Sequence, residues 1–163
     1  MKAAIVYYSQ SGNTAWTAKE IAGKTGADLI EIVPQKEYPS SGFRKFFWGG
    51  KSAVMGDMPP LQPYRFDADA YDTVILGTPV WASRITPPLK TFVNDNLAAL
   101  QNKKLAVFTC FSGGGAEKAI DALKKQLGVS GFAAELILVD PLSKPKSDTN
   151  GKIESFCRAL TEI

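Results

Sequence analysis

The stretch Ser9-Gln10-Ser11-Gly12-Asn13-Thr14 concentrates three hydroxyls, a glycine and two side-chain amides in six consecutive residues. An apolar run from Ala3 to Tyr8 precedes it, and helical periodicity from about Thr14 follows, with Ala15, Ala18, Ile21 and Ala22 on one face. A loop that leaves a strand and opens a helix presents unpaired backbone N–H groups and the positive end of the helix dipole. Ser9, Ser11 and Thr14 add hydroxyl donors, and Gly12 lets the chain turn closely around an anion. The loop has no Lys or Arg. It is therefore neither a Walker A loop, which needs Gly-Lys-Ser/Thr, nor a G-x-G-x-x-G dinucleotide fingerprint. An uncharged, hydroxyl-rich nest suits one compact phosphomonoester. The plainer alternative is a turn with a helix cap and no ligand.

Other chemistries are scarce. The 163 residues include no histidine, which removes Ser-His-Asp triads, histidine acid–base catalysis and most zinc sites. The two cysteines, Cys110 and Cys157, lie in no metal-like spacing. Cys110 reads as a small buried hydrophobe rather than a reactive thiol, and Cys157 as core. Catalysis would have to rest on a cofactor, a carboxylate, Lys, Tyr or Cys. The net charge of +3 is spread along the chain, with no aromatic-basic motif for nucleic acid. No segment has the length of a membrane span and none reads as a leader. A cytoplasmic protein with reduced thiols is the expectation.

The elements that must position these residues follow from periodicity. Strands are predicted at Ala3 to Tyr8, Leu29 to Val33, Thr73 to Leu76, Lys104 to Cys110 and Leu136 to Val139. A first helix closes at Gly26. A second opens at Pro87 with Thr86 as N-cap and carries Leu89, Phe92, Val93 and Leu97. A third presents Ala116, Ala119, Ile120, Leu123 and Leu127 and stops at Gly128, and a last one carries Ile153, Phe156, Cys157 and Leu160. Continuous apolar strands joined by amphipathic helices predict one α/β domain over residues 1–163. It has a doubly wound, five-stranded parallel sheet of order 2-1-3-4-5 with helices on both faces. From Pro34 to about Tyr71 the rhythm lapses into Pro, Gly and aromatic residues, with Phe43, Phe46, Phe47 and Val54 able to line a short helix. This segment either covers a sheet edge or forms a lid or partner surface near a ligand.

The run Ile5-Val6-Tyr7-Tyr8-Ser9-Gln10-Ser11-Gly12-Asn13-Thr14-Ala15 closely resembles the phosphate loop of flavodoxins, whose pattern is T/S-x-T/S-G-x-T. Gly77-Thr78-Pro79-Val80-Trp81 is similar to their second flavin loop, and Thr109-Cys110-Phe111-Ser112-Gly113-Gly114-Gly115 to the third. Leu29 to Pro34, with Tyr38-Pro39 after it, resembles a bacterial flavodoxin-like subgroup with a long second connection. The likeness implies FMN as cofactor. It assigns the phosphate to Ser9, Gln10, Ser11, Gly12, Asn13, Thr14 and Ala15. The isoalloxazine ring would be flanked by Thr78, Pro79, Val80, Trp81 and Ala82, and its polar edge met by backbone groups of Cys110, Phe111, Ser112 and Gly113. Trp81 could stack on the ring or pack under its own loop. Phe111 could be a second wall or a loop anchor.

Two departures from the flavodoxin pattern bear on the redox chemistry. The second loop has Ala82 where Gly usually allows a peptide to flip, and Ala resists positive φ. The third loop carries no acid, and Arg84 adds a cation nearby or is simply solvated. Together they predict weaker stabilisation of the one-electron form and a less negative second potential, leaning toward two-electron chemistry. Two functions fit: a flavodoxin-like electron carrier, or an FMN-dependent NAD(P)H:quinone-type oxidoreductase. The partner is a redox protein or a small-molecule acceptor, with no nucleic acid and no membrane. A phosphoacceptor receiver domain shares this strand order but needs acids where Tyr7-Tyr8-Ser9 stand.

Overall fold

In the computed structural model, residues 2–39 and 42–161 are described, the side chains of residues 42–47 excepted. The parallel strands are β1 (Ala3–Tyr7), β2 (Asp28–Glu31), β3 (Thr73–Trp81), β5 (Lys104–Phe111) and β6 (Glu135–Val139), and a two-residue strand β4 (Arg84–Ile85) turns back on β3. The order β2-β1-β3-β5-β6, every pair parallel, is the predicted 2-1-3-4-5 once β4 is set aside. The helices are α1 (Asn13–Thr25), α2 (Gly42–Met55), α3 (Pro87–Asp95), α4 (Leu97–Leu100), α5 (Ala116–Leu127) and α6 (Thr149–Thr161).

Alternation along buried strands builds two cores. Ile5, Tyr7, Ile75, Ala106, Phe108 and Cys110 face α1 and α6, meeting Ala18, Ile21, Ile153 and Phe156. Val6, Tyr8, Val74, Leu76, Leu105 and Val107 face α3 and α5, meeting Leu89, Phe92, Ile120 and Leu123. Gly77 stands beside Phe108 on β5, and a Cβ there would run into the Phe108 ring, so the missing side chain makes room for an aromatic in the sheet's middle.

The structure moves several predicted boundaries. β3 does not stop at Leu76 but continues to Trp81, because Val80 and Trp81 pair with Ile85 and Arg84 in a hairpin. Pro79 is tolerated inside it because its nitrogen faces the β1 side, where β1 pairing ends at Tyr7 and Gly77. The helix opened by Pro87 ends at Asp95 rather than continuing through Leu97: Asn96 turns its side chain back onto the Phe92 carbonyl at 2.8 Å, and α4 starts afresh. Thr86 holds the N-cap position without capping through its side chain. Its hydroxyl bonds that of Thr78 instead, at 2.9 Å.

The segment after β2 holds the helix α2. Val54, predicted to line its apolar side, is 56% exposed, while the buried side carries Gly49 and Ala53. The Phe43, Phe46 and Phe47 side chains lie outside the described residues. The return leg pairs with the chain leaving β2, Pro34 opposite Leu61, so part of the segment extends the sheet edge. Tyr38, Leu61, Tyr64 and Phe66 pack onto the α3–α5 core.

Candidate functional site

β1 leads into α1 on one face of the sheet and β3 into α3 on the other, so the chain opens a crevice between their connections at the carboxyl ends of the strands. A cleft of about 350 Å³ lies there. Gln10, Ser11, Asn13 and Thr14 line it from the first loop, Pro79, Val80, Trp81 and Ala82 from the hairpin, and Cys110, Phe111, Ser112 and Gly113 from the third loop. Four predicted residues do not line it: Ser9, Gly12, Ala15 and Thr78.

These four hold the walls. Ser9 Oγ accepts the Ala15 amide at 3.1 Å, which ties the loop's start to the helix and consumes that amide. Gly12 takes φ 90°, a left-handed conformation that suits glycine, and caps α1 with no side chain of its own. Thr78 is fully buried, and its Oγ1 accepts the Thr86 amide at 3.1 Å, bracing the hairpin from beneath.

The first loop is held open by its neighbours. Asn13 donates to Ser11 Oγ at 3.2 Å and accepts the Leu142 amide at 2.9 Å, fastening the loop to the chain after β6. Gln10 donates to the Pro39 carbonyl at 2.9 Å. The amides of Ser11, Gly12, Asn13 and Thr14 have no acceptor among the described residues. Thr14 Oγ1 is buried with no hydrogen-bond partner. The first turn of α1 contains no acid, so nothing within the helix offsets its dipole. Orphan amides at a helix start, with the buried Thr14 hydroxyl among them, are the condition an anion relieves.

Trp81 carries the hairpin's contribution. Its ring meets Tyr8 edge-on at 5.8 Å and Tyr38 at 5.1 Å, and a Cβ on Gly49 would lie 3.2 Å from it. Trp81 is thus packed by α2 and two tyrosines and still lines the cleft. Phe111 also lines it, half-buried. Ala82 and Ser83 both sit at positive φ, 50° and 60°, in the tight turn between β3 and β4. Alanine disfavours this region, and the hairpin imposes it on Ala82 nonetheless. Gly115, at φ 84°, packs so closely on Ser83 that any side chain there would collide with it, so the second and third loops interlock.

The third loop itself carries no acid, but an acid reaches the cleft from another strand: Asp140 lines it, buried, and accepts from Ser112 Oγ at 2.7 Å. It comes from the end of β6, which runs beside β5 so that Val139 stands opposite Phe111. Arg84, by contrast, is exposed and does not line the cleft. Gly50, Ser83 and Gly114 complete the lining that sequence reasoning missed. Burial pushes the Cys110 thiol up to about 11; the Thr17 hydroxyl, 3.5 Å from its sulfur, offsets this only in part, and Asp140 adds to it. A thiol raised in this way is protonated at neutral pH. Burial raises Tyr8 as well, with Tyr38 and Glu37 adding to the effect. Both cysteines are free.

The flavodoxin family model matches residues 2–148. Among solved structures, the chain resembles a flavoprotein in complex with FMN from Lactobacillus acidophilus, at TM-score 0.69 and 21% identity, covering 93% of this chain and 97% of that one. A Bacteroides eggerthii structure gives TM-score 0.76 at 23% identity, covering 99% and 98%. Oxidised flavodoxin 1 from Bacillus cereus gives 0.62 at 18%, covering 99% and 98%. Compared with curated proteins, the sequence finds no match. With the motif in the first loop, the doubly wound sheet and a family match over most of its length, the chain belongs to the flavodoxin family.

Proposed function

We propose that this protein binds FMN in the cleft and carries electrons through it. The observation that supports this best is the set of unengaged amides from Ser11 to Thr14, together with the buried, unpartnered Thr14 hydroxyl. A phosphomonoester dianion satisfies them all, and no cation is needed. The Lactobacillus acidophilus relative is described in complex with FMN, which supports the choice of ligand.

Thr14, Ser11 and the first-turn amides would hold the phosphate. Trp81 and Phe111 would enclose the ring, excluding water from its faces, and Asp140 fixes Ser112 at the third loop. Bound FMN supplies electron transfer between donors and acceptors; the chain supplies binding, orientation and electrostatics. Asp140 removes half the basis for expecting a raised second potential, since a carboxylate in the cleft opposes further negative charge on the ring. Free, buried thiols suit a reducing compartment, in keeping with a cytoplasmic carrier.

Steady-state NAD(P)H oxidation by the FMN-loaded protein separates a carrier from a quinone-type oxidoreductase. The carrier reading expects negligible turnover with quinone acceptors, yet rapid reduction by a low-potential donor protein. Sustained NAD(P)H-dependent quinone reduction would establish the enzyme instead.

A further inference from the structure

We infer that the outer face of α2, with the adjoining hairpin, is the docking surface for an acidic redox protein. The inference rests on the carrier reading and adds the chemistry of its partner. Electrons leave a buried ring only where a partner can come close to the cleft mouth. α2 lies at that mouth: Gly50 lines the cleft and Gly49 backs onto Trp81. Its buried side is Gly49 and Ala53, so the opposite side faces outward.

That outward side is apolar at its centre. Trp48 is 46% exposed, Val54 56%, Met55 69% and Met58, just beyond the helix, 52%. These are four of the six large exposed apolar residues among those described. Aromatic and Met side chains are the types enriched in protein interfaces. Among the α2 residues whose side chains are described, the charged one is Lys51. Lys51 lies over the Trp48 ring, 5.4 Å from its centroid. On β4, which packs against α2, Arg84 stands exposed. Neither Lys51 nor Arg84 has a carboxylate partner among the described residues, whereas Lys24, Lys124 and Lys152 all do. Acids also stand in this region: Asp57 accepts from Ser52, Glu37 acts on Tyr8, and the cleft-lining Asp140 is bonded to Ser112. An exposed apolar patch flanked by Lys51 and Arg84 complements an apolar spot flanked by carboxylates.

The probe is a plant-type [2Fe–2S] ferredoxin, acidic and with a potential of roughly −400 mV, low enough to reduce bound flavin. Rapid mixing of reduced ferredoxin with FMN-loaded protein measures the reduction rate. We expect that rate to fall about tenfold as salt rises from about 50 to about 300 mM. Lys51→Glu combined with Arg84→Glu should slow it about tenfold at low salt, and Trp48→Ala should weaken saturation about threefold. Lys125→Glu, an exposed cation in the last turn of α5 at the far end of the sheet, should change it less than about twofold. Equal losses from Lys125→Glu, or a salt-independent rate, would overturn the proposal. So would salt-sensitive binding to phosphatidylserine vesicles, lost in the double variant, with the ferredoxin rate untouched: the surface would then be a membrane contact. Self-association that buries Trp48 would overturn it in favour of a second copy. If the protein retains no FMN, the carrier reading fails; if it retains FMN and the variants react normally, only the docking surface fails.

Discussion

Thr14 shows how much of the site one residue type can disclose. Its hydroxyl was legible in the sequence because hydroxyls three apart on either side of a glycine, after an apolar strand, have few other uses. The structure adds that this hydroxyl is buried and unpartnered. Ser11→Ala with Thr14→Ala removes two donors, each worth about 1.5–3 kcal/mol to a charged ligand, so FMN affinity should fall about 100-fold or more with folding intact. Titration of flavin fluorescence measures it, and unchanged affinity would place the phosphate elsewhere. Asp140 was not legible. It lies 28 residues from Ser112, and only the parallel pairing of β5 with β6 brings the two together. Ser9 and Ala15 were expected at the phosphate but do not line the cleft, since motif spacing does not reveal that they bond each other.

The elements behaved in the same divided way. Strands and helices with continuous or periodic apolar residues were readable, because burial on a sheet imposes those patterns. The β3–β4 hairpin was not, because Gly77 and Pro79 read as punctuation while pairing with Ile85 and Arg84 carries the strand past them. α2 was obscured by glycines inside a helix, Gly49 and Gly50, kept where the backbone meets Trp81 and the cleft. The hairpin's turn makes a testable strain claim. Ala82→Gly relieves a left-handed alanine and should stabilise the protein by about 0.5–1 kcal/mol, less than the full αL cost because glycine gains entropy when unfolded. Gly115→Ala should do the reverse, by about 2 kcal/mol or more, since it combines positive φ with a collision against Ser83. Urea denaturation of both variants checks the pair; two shifts of the same sign would mean the loops do not interlock as described.

At the scale of the molecule, the rhythm of strands and helices suggested the sheet order, and the three loops that resemble those of flavodoxins marked the place of the cleft, at the switch point of a doubly wound sheet. The lid-like segment did not follow, for want of any period to read. The buried groups set a pH limit. Cys110 is held at about 11 in the fold against an ordinary 9.0, so the folded state keeps a proton that the unfolded state releases. Its contribution is fully present below pH 9 and lost as pH rises toward 11. Tyr8 and Tyr38, also raised by burial, extend the loss upward. Midpoints of urea unfolding should hold to about pH 8 and decline steadily by about pH 10.5; a flat profile would mean these groups are solvated. The proposed cofactor site depends on hydroxyls and main-chain amides holding a phosphate with no cation. Comparing FMN with riboflavin, which lacks only that phosphate, tests it most directly. FMN should bind one to one and at least about 100-fold more tightly than riboflavin, the worth of two charge-assisted hydrogen bonds. Equal affinity for the two flavins would contradict the claim.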